Sequence, residues 1–148
     1  MAGASRRRAL GQHFLRDTDI AHAIVDLVAP TERDVVVEIG PGSGALTGEL
    51  VRRAGRVIAL EIDGELARRL RERFPRVEVL ESDARGWDYR TLSRPSAGRV
   101  LVVGNLPYSV SKPIVMALVE ARRAIDEMAL MLQREVAERL AAPPVGVV

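Results

Sequence analysis

Short apolar runs alternate along the chain with segments whose apolar positions recur three and four residues apart. Runs of strand length occupy 35–39, 57–60, 77–80, 100–103 and 128–132. Between them, Ile20, Ala23, Ile24, Leu27 and Val28 share one helical face over 18–28, and Leu46, Leu50 and Val51 do so over 44–53. Leu66 and Leu70 stand four apart within 64–73, Ile114, Val115, Leu118 and Val119 mark 111–122, and Val136 and Leu140 mark 134–142. Strand and helix alternate throughout, which predicts an α/β fold with a mostly parallel sheet and flanking helices.

In such a sheet, ligands sit outside the carboxyl ends of the strands. Those ends carry Glu38 to Gly44, Glu61 to Asp63, Asp83, Asn105 to Tyr108, and Gln133. Gly40, Gly42 and Gly44 form G-x-G-x-G, which suits a tight turn with close ligand approach. The spacing differs from the G-x-G-x-x-G of a dinucleotide turn, and no Lys-Ser/Thr follows as in a P-loop. This disfavours a nicotinamide dehydrogenase.

Glu61 lies 21 residues beyond Gly40, near the separation of about 20 at which an acid accepts from ribose hydroxyls. Asp83 can accept from an exocyclic amine such as adenine N6. Asn105-Leu106-Pro107-Tyr108 combines an amide with a donor and an acceptor, a fixed φ and an aromatic face on which a base can stack. Alone, the same four residues also suit an ordinary turn.

Composition narrows the class. With 148 residues, 47% hydrophobic and 28% charged, the chain fits one globular domain. No apolar stretch approaches the roughly 18 residues of a membrane span, so a cytoplasmic location is expected. There is no Cys, which excludes disulfides, thiolate metal sites and a Cys nucleophile. The net charge of +2 is unevenly spread, because Arg6, Arg7, Arg8 and Arg16 stand in the first 16 residues without an acid. Such an arm suits a nucleic-acid backbone or a solubilising tail. His13 and His22 are the two histidines, and no metal motif surrounds either.

Gly11-Gln12-His13-Phe14-Leu15, the Glu38–Gly44 turn, Glu61-Ile62-Asp63, Ser82-Asp83-Ala84, Asn105-Leu106-Pro107-Tyr108 and Gln133-Arg134-Glu135-Val136 together resemble the ordered motifs of the rRNA adenine N6,N6-dimethyltransferases of the small-subunit type. The resemblance covers about residues 8–142. It implies a Rossmann-like class I fold and S-adenosyl-L-methionine as cofactor. In the implied roles, His13 and Leu15 close over the cofactor, Gly40 and Gly42 lie against its methionine part, Glu61 holds the ribose, and Asp83 with Ala84 receives the adenine. Asn105 and the Leu106 carbonyl hold the target N6 amine, Asn105 also touching the cofactor, and Tyr108 stacks on the flipped adenine. Arg6, Arg7, Arg8, Arg16 and Lys112 are candidates for RNA phosphates.

The implied reaction is methylation of two adjacent adenines near the 3′ end of small-subunit rRNA during ribosome biogenesis, with the immature small subunit as partner and neither metal nor membrane. The alternatives are methylation of a large-subunit rRNA adenine, conferring antibiotic resistance, and a catalytically inactive cofactor- or RNA-binding fragment. By the same resemblance, residues 1–16 are a basic arm with a cofactor-capping motif, 17–142 a partial methyltransferase domain, and 143–148 a truncated tail. The last strands and a C-terminal helical domain are then missing. Weak cofactor binding, little methylation and self-association through an exposed sheet edge at 128–132 are expected.

Overall fold

A computed structural model describes residues 18–142. Five strands, β1 Val35–Ile39, β2 Arg56–Glu61, β3 Glu78–Glu81, β4 Val100–Asn105 and β5 Glu127–Met131, form one sheet of order β3-β2-β1-β4-β5. Every pairing is parallel. The helices are α1 Thr18–Val28, α2 Ala45–Arg53, α3 Gly64–Arg73, α4 Tyr108–Glu120 and α5 Arg134–Ala141, with 3₁₀ turns at Tyr89–Thr91 and Arg122–Ala124.

Successive strand residues point to opposite faces, so a sheet covered on both sides needs apolar side chains at nearly every position. All five residues of β1 are buried. On one face, Val25 of α1, Leu50 of α2 and Leu70 of α3 pack on Val36, Val57, Ala59, Leu101 and Val103. On the other, Ile114 and Leu118 of α4 join Tyr89 over Val35, Val37, Ile58, Leu60 and Val102. β3 and β5 are the edge strands of the described sheet, and Glu127 and Met128 of β5 are exposed.

The amino ends of the strands are fastened by Asp34, which is buried. Its carboxylate accepts from the Thr31 N–H at 2.8 Å, the Arg99 N–H at 2.8 Å and the Arg99 guanidinium at 3.0 Å. Its carbonyl accepts from the Gly55 N–H at 3.1 Å, so one residue ties the entries of β1, β2 and β4. The Arg99 and backbone hydrogen bonds outweigh the opposing effect of burial and hold the Asp34 pKa down at about 2.

The elements follow the hydrophobic pattern closely, with three informative differences. β3 begins one residue later than the apolar run, at Glu78. α4 begins at Tyr108 rather than near 111 and continues through Pro113, because Pro107, extended at φ −61° and ψ 145°, starts the helix immediately after the strand. Glu38, read from the sequence as following β1, lies within it and is wholly buried. Among the described residues, no helix is long and apolar enough to cross a membrane.

Candidate functional site

The chain leaves β1 toward β2 on one side, while β4 pairs on the other. The carboxyl ends of β1 and β4 therefore bound the crevice where the direction of winding reverses, the place where open α/β sheets bind ligands. Gly40 follows β1 and Asn105 ends β4. Ile39 pairs with Gly104, and a Cβ built on Gly40 would stand 3.7 Å from the Asn105 carbonyl oxygen, so the two strand ends lie side by side.

Gly40, Gly42 and Gly44 all adopt positive φ, at 64°, 56° and 90°. This left-handed region is costly for residues with a Cβ. The alternation turns the chain sharply from β1 into α2 and directs the Gly42 N–H to Glu61 Oε1 at 3.3 Å. Glu61, 4% exposed, also accepts from the Asp63 N–H through Oε2 at 2.9 Å. Burial pushes its pKa up despite these backbone hydrogen bonds. Asp63 itself caps α3, its Oδ1 accepting from the Glu65 and Leu66 N–H groups at 3.0 and 3.1 Å.

Asp83 lines the same pocket from the end of the neighbouring strand β3. Its carboxylate accepts from the Arg85 N–H at 2.9 Å and is gripped by the Arg85 guanidinium, Nε to both oxygens at 3.0 Å and Nη2 to Oδ2 at 2.6 Å. That pairing lowers the Asp83 pKa. Ala84 is buried, and its carbonyl accepts from the Tyr89 hydroxyl at 2.7 Å. This bond fixes the loop after β3 against the sheet.

At the β4 end, Leu106 buries its side chain and donates its N–H to the Met131 carbonyl at 3.0 Å. β4 and β5 thus stay paired up to the rim. Tyr108, the first residue of α4, is 55% exposed and offers a free aromatic surface beside the crevice.

The pocket is lined by Gly40, Gly42, Glu61, Asp83, Ala84 and Asn105, together with Ile39, Leu60, Ile62, Leu66, Ser82, Arg85, Pro107, Val110 and Ile114. The fold thus brings together six of the residues singled out from the sequence, contributed by the ends of four strands. Leu106 and Tyr108 adjoin that lining, and Lys112 is exposed one turn along α4. His13, Leu15, Arg6, Arg7, Arg8 and Arg16 lie outside the described residues. His22 pairs with Glu49 at 2.9 Å on the α1–α2 side.

Two groups escaped the sequence reading. Ile62 and Arg85 line the pocket although neither is a strand-end acid or a glycine; an apolar residue directly after Glu61 was the available signal for the first. Glu38 is the other surprise. Its Oε1 accepts from the Thr47 hydroxyl, Oε2 has no hydrogen-bond partner among the described residues, and burial pushes its pKa up to about 8.

An apolar floor, with Asp83, Glu61 and the Gly40–Gly42 turn set side by side along the ends of β3, β2 and β1, suits a ligand with an aromatic ring, hydroxyls and an amine. Comparison with known proteins agrees. The sequence model described as Ribosomal RNA adenine dimethylase matches residues 3–146. The chain is 46% identical over 138 residues to the Ribosomal RNA small subunit methyltransferase A of Methylibium petroleiphilum, covering 93% of this chain and 54% of that protein. With the protein of the same name from Variovorax paradoxus it shares 47% over 144 residues, 97% of this chain and 56% of the other.

Among solved structures, a dimethyladenosine transferase from Plasmodium falciparum superposes with TM-score 0.75 at 29% identity, over 88% of this chain and 47% of that one. The 23S rRNA methyltransferase ErmE superposes with TM-score 0.71 at 34% identity, over 85% and 50%. The chain spans about half the length of the curated relatives it matches. Matched by the family's sequence model along nearly its whole length, and carrying the glycine turn, the strand-end acids and Asn-Leu-Pro-Tyr on one crevice, the chain belongs to the ribosomal RNA adenine dimethylase family.

Proposed function

We propose that this chain contributes the cofactor- and adenine-binding crevice of an S-adenosyl-L-methionine-dependent methyltransferase that dimethylates N6 of two adjacent adenines in small-subunit rRNA. The observation that carries this reading is the placing of Gly40 and Asn105 side by side in one pocket at the β1–β4 crevice, with the exposed Tyr108 three residues beyond. The names of the most similar relatives support the small-subunit target.

The pocket fits the cofactor on its own chemistry. Glu61 Oε1 accepts from the Gly42 N–H and Oε2 from the Asp63 N–H, and a carboxylate has further lone-pair capacity for a ribose hydroxyl. Such donors would also offset the burial of the carboxylate. Asp83, Ala84 and Ile62 line the same pocket, and in this reading they receive the adenine ring. Gly40 and Gly42 leave room for the methionine part. When bound, the cofactor supplies an electrophilic methyl on a sulfonium.

The remaining work falls to the protein. An adenine N6 lone pair is delocalised into its ring, so the amine must be held and turned before it can attack. The Asn105 side-chain carbonyl and the Leu106 backbone carbonyl supply acceptors for that amine, and Tyr108 supplies a stacking face. As nitrogen takes the methyl it gains positive charge, which carbonyl dipoles stabilise, and it then releases a proton. Positioning supplies most of the rate. Lys112 and the arginines of residues 6–16 are placed in this reading on RNA phosphates, and the β5 edge is a surface for self-association.

The test is transfer of labelled methyl from S-adenosyl-L-methionine to unmethylated small-subunit and large-subunit rRNA side by side. A low level of dimethyladenine in small-subunit rRNA, lost in Asn105→Ala, is expected; robust labelling would overturn the expectation of little methylation by this chain. Labelling of large-subunit rRNA alone would replace this target with the resistance-type one, for which the likeness to ErmE is the supporting observation.

A further inference from the structure

Asp83 is already engaged. In the reading above its carboxylate accepts from the adenine amine, yet both of its oxygens are held by Arg85 through Nε and Nη2 at 2.6–3.0 Å. The two side chains are about half exposed, 47% for Arg85 and 40% for Asp83, so the pair is not locked in by packing. The loop beneath it is firm, because the Asp83 carbonyl accepts from the Gly86 and Trp87 N–H groups at 3.1 Å and Tyr89 anchors Ala84. The exposed Arg85 side chain is thus the least constrained part of this loop.

Arg85 also lines a second groove next to the pocket, shared with Trp87, Asp88, Arg90 and Glu120. Arg85 thus borders two places from one backbone position. One is Asp83 in the pocket; the other is the Trp87 groove, where Glu120 is in the lining and Asp88 is already paired with Arg90 at 2.9 Å.

We propose that Arg85 is a gate residue of the ligand pocket, an internal competitor that occupies Asp83 in the free protein and moves into the Trp87 groove when an amine-bearing purine takes its place. The gate rests on the cofactor reading given above, since it presumes that a purine amine comes to Asp83. An exposed ion pair is weak, and its removal changes an equilibrium by up to about fivefold. The pair is also ionic while a purine amine is neutral, so salt weakens the competitor more than the ligand.

The experiment is calorimetric titration of the 148-residue chain with S-adenosylhomocysteine, comparing wild type with Arg85→Leu at low and high NaCl. Trp87 is the sole tryptophan, so its fluorescence reports arrival of the guanidinium. Arg85→Leu is expected to bind about two- to fivefold more tightly. Wild-type affinity is expected to rise with salt while that of the variant stays flat, and the ligand-induced change in Trp87 emission is expected in wild type and lost in the variant. Binding by both proteins, with Arg85→Leu no tighter and the Trp87 signal unchanged between them, overturns the gate and leaves the cofactor reading standing. Absence of binding in both overturns the cofactor reading and the gate with it.

Discussion

Thr47 of α2 donates its hydroxyl to Oε1 of Glu38 in β1, while Oε2 of the same carboxyl has no hydrogen-bond partner among the described residues. A buried carboxylate in that setting is penalised by desolvation, with nearby Glu61 adding repulsion, and the group is held largely protonated up to about pH 8. The unfolded value is 4.5. The folded state therefore binds more protons between these values, and stability falls as pH rises from about 4.5 to about 8, then levels. Urea unfolding of Glu38→Gln, which cannot ionise, is expected to lack this fall, and its difference from wild type should shrink or reverse on the alkaline side by a few kcal/mol at most. A parallel pH dependence in the two proteins would show that Glu38 is ionised when folded.

Asp34 acts with the opposite sign. Its folded pKa of about 2 lies below the unfolded 3.8, so its contribution is present above about pH 4 and is lost as pH falls toward 2. Asp34→Asn is expected to lower the thermal midpoint at pH 7 and to lose part of the wild-type acid sensitivity. Since Arg99 is partly exposed, the ion pair itself accounts for only part of the loss, and the two backbone donors on Asp34 account for the rest.

The glycine turn separates fold from function. At Gly40 an added Cβ meets only ordinary contact, 3.7 Å from the Asn105 carbonyl, so Gly40→Ala mainly incurs the backbone penalty of φ 64°, about 1–2 kcal/mol. At Gly44 the Cβ would stand 2.9 Å from Phe74 Cε2 and 3.2 Å from Leu70 Cδ1, at φ 90°. Gly44→Ala is expected to be the more destabilising in chemical denaturation, whereas Gly40→Ala should lose more S-adenosylhomocysteine binding per unit of stability lost. The reverse ranking in binding would move the ligand away from the β1 end.

Much of this was legible in the sequence because the informative signals are local. The five apolar runs mark the strands, since a parallel sheet covered on both faces needs apolar residues nearly throughout, and Asp63 and the three glycines mark helix and turn starts. Glu38 departs from that pattern, a charged side chain wholly buried inside β1. Only the fold reveals Thr47 opposite it, nine residues on. Likewise, Arg85 reads as a surface cation until the coordinates put its guanidinium on Asp83, for side-chain pairing leaves no trace in hydrophobic periodicity.

Tyr108 offers the cleanest test of the target side of the crevice. Its ring is 55% exposed, so Tyr108→Ala removes little packing and should leave the unfolding midpoint within about 0.5 kcal/mol of wild type. Stacking of a base on an aromatic ring is worth about 1–3 kcal/mol, so methyl transfer by Tyr108→Ala is expected to fall about 5- to 150-fold in kcat/KM. Tyr108→Phe should retain most of it, and S-adenosylhomocysteine affinity should stay near wild type in both. Loss of cofactor affinity in Tyr108→Ala with transfer otherwise intact would place the ring on the cofactor instead of the target adenine.

The β5 edge yields the last prediction. Parallel pairing runs from β3 to β5, and β5 has a described neighbour on one side only, with Glu127 and Met128 exposed. An apolar edge strand invites pairing with another chain, and a lysine on it opposes that pairing. Sedimentation of the 148-residue chain over rising concentration is expected to show association. Met128→Lys should shift it toward monomer with little change in stability, because that side chain is already exposed. Equal association of wild type and Met128→Lys would locate the contact elsewhere, with the exposed Leu140 face of α5 the next surface to alter.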